Sequence, residues 1–217
     1  MTEKLPSLTP GGRGLPINRL ETFSDGVFSI AITLLVLEIA LPLGAEDDLV
    51  GALVNTWPAY LAYVISFLTI GWVWIGHSAI TSHIERVDGI FLRVNLMLLM
   101  AVAFLPFPTK LMAEYLGKAS PERVAVTFYG VLLLVIALLI EALWRYALRA
   151  RELLRSELSD DELAGLTRKS TRGLALFVGS IVVGLFLPTL GVFCYLAASA
   201  YLVIPFRTIG RAIPRRG

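Results

Sequence analysis

The polar residues that could do chemistry in this sequence sit at the head of an apolar run. Asn18 to Leu43 reads NRLETFSDGVFSIAITLLVLEIALPL, with Arg19, Thr22, Ser24 and Asp25 leading and almost wholly apolar side chains following as far as Pro42. Drawn as a helix, Leu20–Leu43 is about 36 Å long, enough to cross a hydrocarbon core of about 30 Å. An anchor alone has no need of arginine, serine and aspartate in its first turns. Ionisable groups inside a membrane are costly, so they mark functional positions by default. A second cluster, Trp72, Trp74, His77, Ser78 and His83, lies in the later half of another apolar run.

Enzymatic chemistry finds little support in these residues. There is no Gly-rich phosphate loop, no His-Glu-x-x-His pair and no Gly-x-Ser-x-Gly. His77 and His83 lie six positions apart and do not share a helix face, which makes them poor joint metal ligands. Ser29 and His77 could be drawn as a hydrolase pair, but any bundle of membrane helices offers such a pair. The single cysteine, Cys194, excludes an internal disulfide and a cysteine-based metal site. The chain is expected not to be an enzyme, to carry no cofactor and to bind no nucleic acid.

A conduction pathway fits the pattern better. At ~100° per residue, Ile30, Leu34, Leu37 and Leu41 fall in one narrow stripe of the first helix, with Gly26 and Thr33 on its shoulder. Asp25 stands ~140° from Ile30 on the same wheel, so the two cannot face one axis. The stripe can line or close a channel, although taken alone it is explained more simply by packing or lipid contact. Asp25 and Ser29 then face a neighbouring helix, where Asp25 locks helices together by hydrogen bonding. Its candidate partners are Arg19 and the group Trp72, Trp74, His77 and Ser78. Glu38 and the acidic loop Glu46–Asp48 would concentrate cations at an outer mouth. Alternatively, Glu38 pairs with an outer residue of a neighbouring helix.

Whatever positions these residues must be membrane-spanning. The 217 residues are 56% apolar with mean hydropathy +0.74, against about 45–50% apolar for soluble domains. The apolar runs are continuous rather than alternating, which argues for helices over a barrel. Beyond the first run, spans are expected at about Trp57–Ile84, Ile90–Leu116, Ser120–Trp144, Thr171–Leu190 and Val192–Phe206. Asn55 or Thr56 is expected to cap the second, and Pro106 and Pro108 to kink or end the third. Glu141 interrupts the fourth, which runs on into Arg145, Arg149, Arg151 and Arg155. Ser159–Glu162 reads as a capping box for a short cytoplasmic helix. Gly179, Ser180 and Gly184 would let the fifth span approach its neighbours closely, and Gly191 would make the turn into the sixth.

With six spans, all but three of the 19 basic residues lie on one side of the membrane, the exceptions being Lys110, Lys118 and Arg123. The rule that basic loops stay inside therefore places both termini in the cytoplasm. The expected architecture is an all-α membrane protein of the cell membrane, multi-pass, with six transmembrane helices per subunit. It divides into a disordered N-terminal tail (1–17), one membrane domain (18–207) and a basic C-terminal tail (208–217).

Arg19-Leu20-Glu21-Thr22-Phe23-Ser24-Asp25 matches Arg-x-x-x-Phe-Ser-Asp, and in this it resembles the first-helix signature of the transmembrane protein 175 family of cation channels. The similarity continues through Ser29–Thr33, Trp57-Pro58 and the tryptophan-rich second helix that bears His77, so it covers the prokaryotic single-repeat unit. The resemblance implies a potassium-permeable channel without a carbonyl filter, assembled as a homotetramer with its first helices around the pore. It implies a constriction at Ile30, Leu34 and Leu37, a hydroxyl layer at Thr33, and a network joining Arg19 and Asp25 of the motif to His77 and the tryptophans. It departs from the family pattern at Gly76-His77-Ser78, where an asparagine is expected beside the histidine. Rings of isoleucine and leucine act by size and dewetting, which favours potassium, the ion that sheds water more cheaply. The expected partners are thus the permeant potassium ion, further copies of the chain and membrane lipid. The competing reading is a proton-coupled or secondary cation transporter using His77 and Asp25, although the two related halves usual in such folds are not evident.

Overall fold

The computed structural model describes residues 15–154 and 160–204. The first helix, α1 (Ile17–Leu34), continues as a tighter 3-10 turn over Leu35–Glu38. Ile17, Leu20, Ser24, Phe28, Ala31 and Leu35 are buried, spaced three or four apart so that one side of the helix meets the bundle. The helix stops at Glu38, short of the expected Leu43. Pro42 disfavours a helical conformation at Leu41, and the chain is already extended at Ile39 (φ −87°, ψ 94°).

A loop with Gly44 at φ 80° leads to α2 (Leu49–Asn55) and α3 (Trp57–Thr81). Asp48 caps α2 by accepting from the Gly51 amide at 2.9 Å, so one acid of the Glu46–Asp48 loop has a local structural job. Thr56 stands at the N-cap of α3 but does not cap it. Its hydroxyl donates instead to the Ala52 carbonyl at 2.7 Å.

The short strand β1 (Leu15–Pro16) pairs antiparallel with β2 (Arg86–Val87), just after α3. Residues 15–17 thus already belong to the folded part rather than to the expected tail, the rest of which lies outside the described residues. Asp88 caps α4 (Gly89–Phe104) through the Phe91 amide at 2.8 Å and also accepts from the Tyr146 hydroxyl. The third span breaks at Leu105, and Pro106 opens α5 (Pro106–Tyr115). Pro106 cannot serve the Val102 carbonyl, which accepts instead from the Leu105 amide at 3.1 Å, while the Thr109 hydroxyl adds a second bond to the Leu105 carbonyl at 2.8 Å.

Then follow α6 (Ala119–Arg149), α7 (Asp160–Phe186) and α8 (Pro188–Val203). The expected short cytoplasmic helix and fifth span are one continuous helix, α7. The proposed cap Ser159 lies outside the described residues, as do residues 205–217. The turn into α8 falls at Leu187, with Pro188 in the first helical turn, and not at Gly191. Gly191 serves packing instead: a Cβ there would run into the Gly184 backbone, so these two glycines let α7 and α8 touch. Gly179 has open space around it and takes no part in that approach.

Ile17–Glu38, Trp57–Thr81, Gly89–Tyr115 and Ser120–Arg149 are long and apolar enough to cross a membrane, while Thr171–Phe186 and Pro188–Val203 are shorter apolar stretches. Apart from Thr127 Oγ1, which finds no partner among the described residues, the buried hydroxyls of the bundle are paired, as burial in a low dielectric favours. The Tyr129 hydroxyl donates to Ser66 Oγ (2.9 Å), which donates to Thr109 Oγ1 (2.7 Å), which ends on the Leu105 carbonyl. One turn along, Ser199 donates to Thr69 Oγ1 at 2.9 Å. These hydroxyls tie α3 to α5, α6 and α8.

Candidate functional site

The motif on α1 is divided by the helix period into an inward and an outward set. Ser24 is fully buried and Asp25, the next residue, is exposed. Inward, the Asn95 amide on α4 donates to Ser24 Oγ at 3.1 Å. Because that amide nitrogen is committed, Oδ1 of Asn95 is the acceptor for His77 Nε2–H at 2.7 Å. The imidazole also packs against Phe28, with ring centroids 5.4 Å apart. Three helices, α1, α3 and α4, are thereby joined through one amide. Asn95 supplies from α4 the asparagine absent beside His77 on α3. An asparagine in an apolar helix must find partners, and that rule alone points to it.

Outward, the Trp74 indole donates to Asp25 Oδ1 at 2.9 Å. Asp25, Ser29, Phe28, Ile32, Ile70 and Trp74 line a groove of about 330 Å³ between α1 and α3. Trp72 is not part of this set. It is buried against Phe177 of α7 (centroids 5.3 Å apart, edge-on), over Gly173, where a Cβ would collide with the indole. Two positions apart on a helix, Trp72 and Trp74 point nearly opposite ways. Arg19 and Phe23 are exposed, and Arg19 forms no ion pair among the described residues. The network expected of Arg19, Phe23, Ser24, Asp25, Trp72, Trp74 and His77 is therefore three separate arrangements in the protomer.

The aliphatic stripe lies opposite the buried side of α1. Ile30 is 61% exposed, Leu34 42% and Leu37 70%. Arg19, Phe23 and Gly26 continue the same face toward the head of the helix. Leu41 does not extend it, since the helix has ended. Thr33 is exposed beside Ile30, and its hydroxyl donates to the Ile30 carbonyl at 2.9 Å and lies 3.1 Å from that of Ser29. At the far end, Glu38 Oε2 is 3.9 Å from Lys110 Nζ on α5, the alternative partner for that acid. No group of three or more histidine, cysteine or acidic residues placed to hold a metal exists among the described residues. His83 is spent locally, its Nδ1 lying 2.6 Å from the Ala79 carbonyl.

Residues 19–106 match the model of the family described as endosomal/lysosomal potassium channel TMEM175. A potassium channel of Chamaesiphon minutus is 43% identical over 164 residues, 74% of this chain and 80% of that one. A potassium channel of Streptomyces collinus is 44% identical over 136 residues, 62% of this chain and 66% of that one. The crystal structure of a lysosomal potassium-selective channel TMEM175 homolog from Chamaesiphon minutus superposes with a TM-score of 0.77 at 38% identity. The match spans 86% of this chain and 95% of that one.

Proposed function

Since the chain belongs to the TMEM175 family of channels, we propose that it is a potassium-permeable cation channel of the cell membrane. Its pore is a ring of α1 helices from four copies. The observation that carries this reading is the bare apolar face of α1, on which Ile30, Leu34 and Leu37 are 61%, 42% and 70% exposed while the opposite face is buried. One protomer presents one such strip, and a closed pore needs several, which rotational symmetry supplies. Each protomer crosses six times, using α1, α3, α4 with α5, α6, α7 and α8, with both termini cytoplasmic.

In this arrangement the isoleucine and leucine rings close the pore by excluding water, and they favour the cation that dehydrates more readily. Thr33 suits the hydroxyl layer for a geometric reason. Its proton is engaged by the carbonyls of its own helix, so the oxygen lone pairs remain free toward the axis. Ser24, Asn95 and His77 hold α1 at a fixed rotation against α3 and α4, and Trp74 steadies Asp25 at the head of the helix. Glu38 stands at the outer mouth.

Reconstitution into liposomes with opposed potassium and sodium gradients tests the proposal. A reversal potential displaced toward that of potassium, with current linear in voltage, is the expected result. Saturating flux that needs a second coupled ion, or no flux at all, would overturn it.

A further inference from the structure

Beside the outer end of α1 lies a cavity of about 370 Å³, next to the break at Leu105 between α4 and α5. Its walls include Leu34 and Leu37 from the apolar stripe, Phe104 and Phe107 from either side of the break, and Glu38 with Lys110. Lys110 Nζ reaches to 3.9 Å from Glu38 Oε2, and its side chain stays 61% exposed while that of Glu38 is 24% exposed. We propose that Lys110 is a determinant of cation supply to the constriction, balancing Glu38 at the outer vestibule. The inference rests on the channel reading above.

Three observations carry it. The ammonium opens onto the same cavity as two residues of the proposed constriction, so its field acts where ions enter. The pair is long and its ammonium end is largely hydrated, and such pairs add little to fold stability, which leaves its electrostatic field as its chief physical effect. Finally, the proposed outer side has few basic groups, and Lys118 is held over the Tyr115 ring at 5.5 Å, whereas Lys110 faces a carboxylate beside the stripe. In a symmetric assembly each copy adds one positive and one negative charge, so the vestibule ring is close to neutral. Removing either member leaves a ring of one sign.

The unitary potassium conductance of the full-length chain in planar bilayers reads this directly. At about 20 mM salt the screening length is tens of ångströms, and at 1 M it is about 3 Å. In low salt, Lys110→Gln is expected to raise conductance about threefold and Glu38→Gln to lower it about threefold. The double variant is expected to return most of the way to the unsubstituted value, because its ring is again neutral. All four proteins are expected to converge at 1 M. Thermal melting and elution volume of each variant confirm that assembly is unchanged before conductance is compared. Single variants indistinguishable from the parent in low salt, or differences that persist at 1 M, overturn the role of Lys110 while leaving the channel intact. A silent parent protein overturns the channel reading itself.

Discussion

The side-chain amide of Asn95 lies 3.1 Å from the hydroxyl of Ser24, and both residues are fully buried. This contact fixes which side of α1 faces the bundle. With Ser24 held inward, Phe23 and Asp25 on either side must look away from the core, and the stripe from Ile30 to Leu37 follows on the opposite face. The rotation of α1 therefore depends on a polar bridge as well as on apolar burial. Leucine and isoleucine occupy several faces of α1 and could pack nearly as well in a slightly different rotation, whereas a hydrogen bond to one hydroxyl could not.

Asn95→Leu is expected to strand both the His77 Nε2–H and the Ser24 hydroxyl in the bundle. Each buried polar group left unpaired costs about 1–3 kcal/mol. The purified protein should lose several degrees in thermal unfolding, and Ser24→Ala alone should lose less because the His77–Asn95 bond survives. Equal losses for the two variants would mean that Asn95 does not bridge.

Gly191→Ala places a methyl group against the Gly184 backbone. The helices α7 and α8 must then separate, at a cost of about 1–3 kcal/mol for overpacking. Gly179→Ala on α7 meets nothing within contact distance and should gain up to about 1 kcal/mol from helix propensity. Opposite signs for the two alanines in thermal melts are the expected outcome. Destabilisation by both would place the close approach elsewhere along α7.

Much of this arrangement was legible in the order of residues. Continuous apolar runs gave the helices, Pro106 marked the break between α4 and α5, and the spacing of Ile30, Leu34 and Leu37 put them on one face. Other features were present as signals but outweighed by the apolar pattern. Pro42 already limits the first helix, because the residue before a proline avoids the helical region, yet Ile39–Leu43 looks apolar enough to continue. Trp72 and Trp74 cannot share a face, a consequence of the helix period alone. The pairing of His77 with Asn95, 18 positions on, was not legible, since periodicity says which face a residue occupies and not which helix lies opposite. The joining of the expected cytoplasmic helix and the expected fifth span into α7 was hidden for a similar reason. Polar residues such as Arg168 and Arg172 end an apolar pattern without ending a helix.

Ser66→Val removes the middle link of the chain from Tyr129 to Thr109. The Tyr129 hydroxyl loses its acceptor in a fully buried position, at about 1–3 kcal/mol. Adding Tyr129→Phe should recover part of that loss by removing the stranded group. A double variant no more stable than Ser66→Val alone would show that water or another acceptor replaces Ser66.

Ile30→Asn tests the constriction itself. If Ile30 rings the axis, its side chain closes the pore because water will not fill a narrow aliphatic passage, and a cation cannot shed its hydration there without replacement ligands. Asparagine is smaller and offers a carbonyl oxygen and two donors, so the passage widens somewhat and wets. Unitary potassium current in a bilayer should rise several-fold, and discrimination against sodium should fall, because a wet ring lets either ion pass with part of its water. The substitution lies on the exposed face of α1, away from Ser24 and Phe28, so the protomer should fold as before and melt within a few degrees of the parent. Current equal to or below that of the parent, with assembly intact, would remove Ile30 from the permeation path. A collapse of assembly without folding loss would place it instead at a contact between copies.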